Sequence, residues 1–285
     1  MNDAHHKSEI QVSVVVLTCG DPETTKACLE SIALSDGPPL QLVVVDNGGG
    51  TVMQQAMKTF QRSTAATRLA DFTIINNVSN IGACSGRNQA LQKVVGQYVA
   101  FVDNDINVRD AKWIQRLTAF LESNDQVGIV GPRIVNESSN RLECAGYAVN
   151  VRGSVIPLGQ GALMDDPMYR TRRVVQAVGN FIAPTEIIRR VGGFDRAFDP
   201  FGFENIDCCY RVKQLNKSIV CDGRTDLYHI GHVTTGRFEH RGRKMLFEKS
   251  LLLRKKWHAI FVQEAEFCAR LTAAEITDGD EGVAV

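Results

Sequence analysis

Short β-branched apolar runs alternate with segments of helical spacing through the first 110 residues of the chain. Residues 11–17 and 40–45 have the length and composition of strands buried on both faces. Between them, residues 21–34 space Ala27, Cys28, Ile32 and Leu34 along a helix, and Gly37-Pro38-Pro39 breaks the chain. Residues 51–62 read as a second helix and 72–76 as a third strand. Residues 82–95 read as a loop opening a helix, and 98–102 as a fourth strand. This alternation predicts right-handed βαβ units and a mostly parallel sheet, an α/β fold.

The second half is less regular. Residues 112–123 predict a helix with Trp113, Leu117, Phe120 and Leu121 inward, followed by strands at 128–135 and 143–155. Residues 157–173 are polar, contain Asp165-Asp166-Pro167 and read as a mobile loop; 174–184 is apolar again. A helix is expected at 205–215, a strand at 218–221 and a long amphipathic helix at 244–261. The acidic, small-residue stretch 272–285 has the composition of a disordered tail.

In parallel sheets ligands bind beyond the carboxyl ends of the strands. Four polar clusters fall there: Thr18-Cys19-Gly20-Asp21, Asp46-Asn47-Gly48, Asn76-Asn77 and Asp103-Asn104-Asp105. The last ends the run YVAFVDNDINV. Side chains alternate along a strand, so Asp103 and Asp105 are expected on one face. Two carboxylates together favour a divalent cation, Mg²⁺ or Mn²⁺, which keeps substrate phosphates as further ligands. A solvated turn with two acids is the simpler account of the triplet alone.

Composition changes this picture little. The chain has 285 residues, enough for one large domain or two small ones; 44% are hydrophobic and 22% charged. Lys+Arg and Asp+Glu are both 32, so nothing global points to nucleic acid or to an anionic surface. No run approaches the roughly 20 apolar residues of a membrane span, and the first ten residues lack a signal-peptide core. Eight cysteines form no C-x-x-C pair and no His spacing of a zinc site, the pattern of reduced thiols in a cytoplasmic protein.

Six blocks, in order, resemble those of the family 2 inverting glycosyltransferases. They are VSVVVLTCGD, LVVVDNGGG, NNVSNIGACSGRNQAL, YVAFVDNDI, VGNFIAPTEIIRRVGGFDRAFDPFGFENIDCCYRV and DLYHIGHVTTG, and the likeness covers residues 10–257. The resemblance implies a GT-A fold: a mostly parallel central sheet flanked by helices, with a Rossmann-like nucleotide-binding half at 10–110 and an acceptor-binding half at 111–240. A tail at 1–9 would precede this domain, and a helical segment at 241–271 would follow. It also implies a nucleotide-diphosphate sugar as donor, a divalent metal (Mn²⁺ or Mg²⁺) and a carboxylate acting as general base.

Residue by residue, the resemblance implies a donor-binding set of Thr18, Asp21, Asp46, Asn80, Gly82, Arg87, Asp103 and Asn104. It implies a metal set of Asp103, Asp105 and His229, and a base among Glu204 and Asp207. An acceptor-only carboxylate at Asp46 suits an N–H or a ribose hydroxyl, and a turn-forming role in D-N-G fits as well. Gly82 and Gly86 allow close backbone approach, and Arg87 stands to meet phosphate from a helix start or to make a surface salt bridge. Glu204, Asp207 and Arg211 share a helix face, which suits catalysis or an intrahelical ion pair. His229 suits Mn²⁺ or simple packing, with His232 the weaker alternative. Gly192-Gly193-Phe194-Asp195 would border donor sugar and acceptor, or stop a helix.

One position departs from the family pattern: Asn205 stands where the second acid of E-D-x-D is usual, and an amide cannot be a general base. The departure keeps open a non-catalytic sugar-nucleotide-binding protein of the same fold. A nucleotidyltransferase is the other alternative, disfavoured because LTCGDPETTKACL holds one glycine after the first strand. Saccharide, lipid-linked and peptide acceptors all fit. The basic residues around Trp257, Arg241, Arg243, Lys244, Arg254, Lys255 and Lys256, suit phosphate or a peripheral contact with the inner membrane face, and a solvated helix face is the simpler account of them.

Overall fold

Parallel pairing of the β-branched runs forms the centre of the protein. The structure is a computed structural model that describes residues 10–231 and 241–273. Its elements run β1 (Val12–Thr18), α1 (Pro22–Ala33), β2 (Leu40–Asn47), α2 (Gly50–Gln61), β3 (Asp71–Asn77), α3 (Ala83–Leu91), β4 (Tyr98–Asp103) and β5 (Ile106–Asn107). There follow α4 (Trp113–Glu122), β6 (Val127–Asn136), β7 (Arg141–Cys144), β8 (Tyr147–Val149), β9 (Val155–Pro157), β10 (Arg172–Arg173), β11 (Phe181–Pro184) and α5 (Thr185–Arg190). The chain continues through α6 (Glu204–Lys213), β12 (Ser218–His229), α7 (Arg241–Gln263) and α8 (Ala265–Ala273).

Among the described residues the main sheet has ten strands, with the path β10-β12-β6-β11-β4-β1-β2-β3; β5 adds to β12 and β7 to β6. Strands β3, β2, β1 and β4 are mutually parallel. The order 3-2-1-4 is what right-handed crossovers give. Beyond β4 the sheet is mixed: β11 runs antiparallel to β4 and β6, while β12 is parallel to β6.

Alternation along the central strands feeds two apolar layers. Val12, Val14 and Val16 of β1, with Leu42 and Val44 of β2, pack under α1, α2 and α4 against Leu29, Met57, Phe60 and Leu117. Val15, Val43 and Val45 point the other way, into a layer that also holds Leu91 of α3, Tyr210 of α6 and Trp257 and Phe261 of α7. Each fully buried large apolar side chain contributes about 1.5–3 kcal/mol, so both layers hold the sheet against its helices.

The second half corrects several expectations. The strand expected at 143–155 is three short strands, broken at Gly146, whose φ of 89° few side chains tolerate. The loop at 157–173 is held to the body: Tyr169 is buried and β10 pairs with Val220 and Cys221. The strand expected to end at Cys221 continues to His229 through a bulge between Asp222 and Asp226. Buried Asp222 ties that bulge by accepting hydrogen bonds from Thr171 (2.8 Å) and Thr225 (2.7 Å). The C-terminal segment is two helices, and α8 runs through Ala273. Residues 274–285, most of the expected tail, lie outside the described residues. Among the described residues no helix is long and apolar enough to cross a membrane.

Candidate functional site

The carboxyl end of β4 and the start of α6 meet at one guanidinium. Arg87, on α3, is 7% exposed. Its Nη2 donates to Asp103 Oδ1 at 3.1 Å, and its Nη1 donates to Glu204 Oε1 at 2.9 Å and to Asn205 Oδ1 at 3.4 Å. Burial works against its charge, and Glu204 and Asp103 more than offset that, so its pKa stands above the usual value. The Phe194 ring lies 5.3 Å from the guanidinium carbon. Arg87 therefore joins the two acidic motifs that the sequence keeps a hundred residues apart. It is neither a surface salt bridge nor a side chain free to meet phosphate unaided.

The helix start expected to receive phosphate is already capped. Asp199 accepts from the backbone N–H groups of Cys84 (2.8 Å) and Ser85 (3.3 Å) and from the Ser85 hydroxyl (2.6 Å). Gly82, at φ 98°, makes room for that carboxylate: a Cβ there would sit 2.2 Å from Asp199 Oδ1. Gly86 likewise serves packing, since a Cβ would lie 2.6 Å from Leu17. Both glycines allow close approach, but to the protein's own side chains.

Thr18, Asp21, Asn80 and Asn104 shape the rim. The Thr18 and Thr25 hydroxyls are 2.9 Å apart, and Asn104 Nδ2 donates to Thr25 at 3.0 Å and to Thr18 at 3.4 Å. Asp21 accepts from the Thr24 N–H at 3.1 Å and caps α1. Asn80 accepts from Asn47 Nδ2 (2.9 Å) and the Gly82 N–H (2.8 Å). These residues set loop geometry with the polar atoms named.

Asp46 is different. It is 1% exposed, its Oδ1 accepts from the Gly49 N–H at 2.6 Å, and its Oδ2 is buried without a hydrogen-bond partner. Burial pushes its carboxyl above the usual carboxylate range. The turn role and an unused acceptor thus coexist in one side chain, and an orphaned buried oxygen calls for a donor from outside the chain.

Asp103 and Asp105 are not related by strand alternation. Strand β4 ends at Asp103, and Asn104 and Asp105 form a turn before β5. Asp103 faces Arg87, and Asn180 clamps it: the Asp103 N–H donates to Asn180 Oδ1 at 2.6 Å, and Asn180 Nδ2 donates to Asp103 Oδ2 at 3.3 Å. Asp105 instead faces β12, where its Oδ2 lies 3.1 Å from His229 Nε2. The other His229 nitrogen, Nδ1, is 2.9 Å from Glu143 Oε2 on β7. Hydrogen bonds to Asp105 and Glu143 push the His229 pKa up to about 10. Asn180 and Glu143 were not expected as site residues; the one Asn in the apolar VGNFI block was the only signal.

Among the described residues no three of His, Cys, Asp and Glu are grouped to hold a metal ion. The pair Asp105–His229 brings together two donors of the kind a metal uses, a carboxylate oxygen and an imidazole nitrogen 3.1 Å apart. The carboxylate would suit Mn²⁺ or Mg²⁺, and the imidazole would suit Mn²⁺.

The second acidic cluster divides. Glu204 Oε1 meets Arg87, and its Oε2 accepts from the Gly202 N–H at 2.7 Å. Asp207 is fully buried, with Oδ2 on Arg211 (2.8 Å) and Oδ1 on Trp257 Nε1 (2.9 Å) and Lys256 (2.7 Å). Asp207 thus ties α6 to α7 and presents no free oxygen to a substrate. In the Gly192–Asp195 stretch, Asn88 brackets Phe194 through its N–H (2.8 Å) and carbonyl (2.7 Å), fixing the ring beneath Arg87, and Asp195 pairs with Lys256. His232 lies outside the described residues.

Residues 13–158 match the family model described as Glycosyl transferase family 2. Among curated proteins, the chain is 23% identical over 257 residues to the uncharacterized protein y4gI of Sinorhizobium fredii, covering 86% of this chain and 27% of that one. It is 25% identical over 173 residues to the pre-mycofactocin glycosyltransferase of Mycobacterium tuberculosis, covering 61% of this chain and 34% of that one. The chain thus spans about a third or less of the length of these relatives. Among solved structures, the mannosyltransferase PcManGT from Pyrobaculum calidifontis in complex with GDP-Man and Mn²⁺ superposes with a TM-score of 0.64 at 15% identity, covering 96% of this chain and 77% of that one. GalNAc-T7 with UDP, GalNAc and Mn²⁺ gives 0.63 at 15% identity, covering 79% and 44%. These likenesses establish the GT-A fold.

Proposed function

This chain belongs to glycosyl transferase family 2, and we propose that it moves a sugar from a nucleotide-diphosphate donor to an acceptor hydroxyl with inversion. The observation that carries the reading is the convergence of Asp103, Glu204 and Asn205 on Arg87, with the orphaned Asp46 oxygen two strands along the same rim. Asp46 Oδ2 would accept a hydrogen bond from the base or ribose of the nucleotide. Asp105 and His229 would hold Mn²⁺ or Mg²⁺, the cation taking the place of the Nε2 proton. When bound, the ion neutralises charge on the departing diphosphate.

Glu204 is the carboxylate left to act as base. Each of its oxygens keeps a lone pair beyond the bonds to Arg87 and Gly202. It takes the acceptor hydroxyl proton as that oxygen bonds to the anomeric carbon and the bond from that carbon to the diphosphate breaks on the opposite side. The rate gain comes chiefly from positioning and charge stabilisation. Asp207 holds the helix that presents Glu204.

Asn205 favours a second reading, a sugar-nucleotide-binding protein without turnover. One experiment separates the two: a thermal-shift screen of nucleotide sugars with Mn²⁺, then transfer or hydrolysis assays on the hit. The proposal expects a stabilising donor, with turnover lost, by at least about a hundredfold, in Asp105→Ala and kept in Asn205→Ala. A stabilising donor with no turnover in any form supports the second reading, and no shift with any nucleotide sugar overturns both.

A further inference from the structure

We infer that α7 docks the protein on an anionic lipid surface. Over residues 241–256 the chain carries seven Lys or Arg against one acid, Glu248, although the whole chain balances 32 against 32. The helix has two unlike faces. Leu253, Trp257 and Phe261 are buried against the body. At about 100° per residue, Lys244, Phe247, Leu251, Arg254, Lys255 and Val262 fall within one arc of about 100° that begins beside Phe261 and runs round to the outward side. Phe247 is 63% exposed, Leu251 49% and Val262 56%. Lys244, Arg254 and Lys255 are exposed among them.

Large apolar side chains interleaved with cations on an outward helix face are what a lipid headgroup boundary accepts: the rings and aliphatic chains enter, and the cations meet phosphate. A second copy fits less well, because two such faces would bring like charges together. The helix is held in this pose. Lys249 donates to the Ala197 carbonyl, and Lys256 pairs with Asp195 and Asp207. Its first turns also adjoin the acid centre, since Leu246 reaches the space a Cβ on Gly202 would fill, and Gly202 donates to Glu204. Resting on the transferase reading, a lipid-borne acceptor would then reach Glu204 from the membrane side.

The test is co-sedimentation with vesicles of phosphatidylcholine alone and with added phosphatidylglycerol, at low and high salt. Binding is expected only with the anionic lipid and to weaken with salt. The double variant F247S/L251S should bind at least about tenfold less, and K244E/K255E should lose the preference for anionic lipid. Both pairs are exposed, so unchanged melting is expected and checks the fold. Wild-type protein remaining in the supernatant, or variants binding as wild type does, would overturn the inference. So would a concentration-dependent dimer, abolished by F247S/L251S, in protein that ignores vesicles. Nucleotide-sugar thermal shifts on the same samples separate the two ideas: a shift without vesicle binding sinks only the docking, and vesicle binding without any shift sinks only the transferase reading.

Discussion

Asp103 and Asp105 end a strand, whereas Glu204 and Asp207 begin a helix, and the two pairs meet water differently. The Asp103 side chain is 43% exposed and Asp105 looks toward His229 across an edge of the sheet. The Glu204 side chain is 9% exposed and that of Asp207 is sealed. Strand ends open onto solvent because the chain turns away there. The helix acids sit between the sheet and α7, so each needs a cation of its own. Asp103 is thus the acid most open to substrate; Asp105, at 13%, and Glu204 are nearly closed over, and Asp207 is frame. Arg87 couples the two pairs.

Removing that coupling gives the largest expected effect. Arg87→Met leaves Glu204 buried without its counter-charge and should cost about 3–5 kcal/mol of stability, read by urea unfolding. A loss below about 1 kcal/mol would mean that the two acidic clusters are held independently and that the convergence has no energetic content.

Asp207→Asn sharpens the division within the helix pair. The amide keeps the shape but loses charge toward Arg211 and Lys256, at a cost of about 2 kcal/mol. Stabilisation by donor should persist in the folded variant, because Asp207 touches frame residues alone. Unchanged stability with lost turnover would instead move Asp207 into the reacting centre.

The contrast also explains what the sequence could reveal. Parallel strands buried on both faces make continuous apolar runs with polar ends, so β1 to β4 and their rim stand out in the letters. The same rule misled at Asp105, because alternation holds only while the strand continues, and β4 stops at Asp103. Antiparallel additions are harder to read. Asn180 and Glu143 are single polar residues whose partners, Asp103 and His229, are fixed by pairing between distant strands. The cap on α3 comes from Asp199, 115 residues beyond Cys84. The split between Glu204 and Asp207 depends on Trp257 and Lys256 of α7, which no local spacing relates to α6.

Glu143 offers the smallest and most selective test of the strand pair. It touches neither Arg87 nor the helix acids, and its carboxylate holds His229 Nδ1 at 2.9 Å. That contact fixes which imidazole nitrogen faces Asp105 and makes the ring a better donor. Glu143→Gln keeps a polar partner of the same shape and removes the charge. Mn²⁺ affinity, measured by calorimetry in the presence of nucleoside diphosphate, should fall about tenfold. Urea stability should change by less than about 1 kcal/mol, since the Glu143 side chain is 30% exposed. An unchanged Mn²⁺ affinity would place the ion away from His229. The comparison would then narrow to Asp103 and Glu204, the two acids that Arg87 holds together.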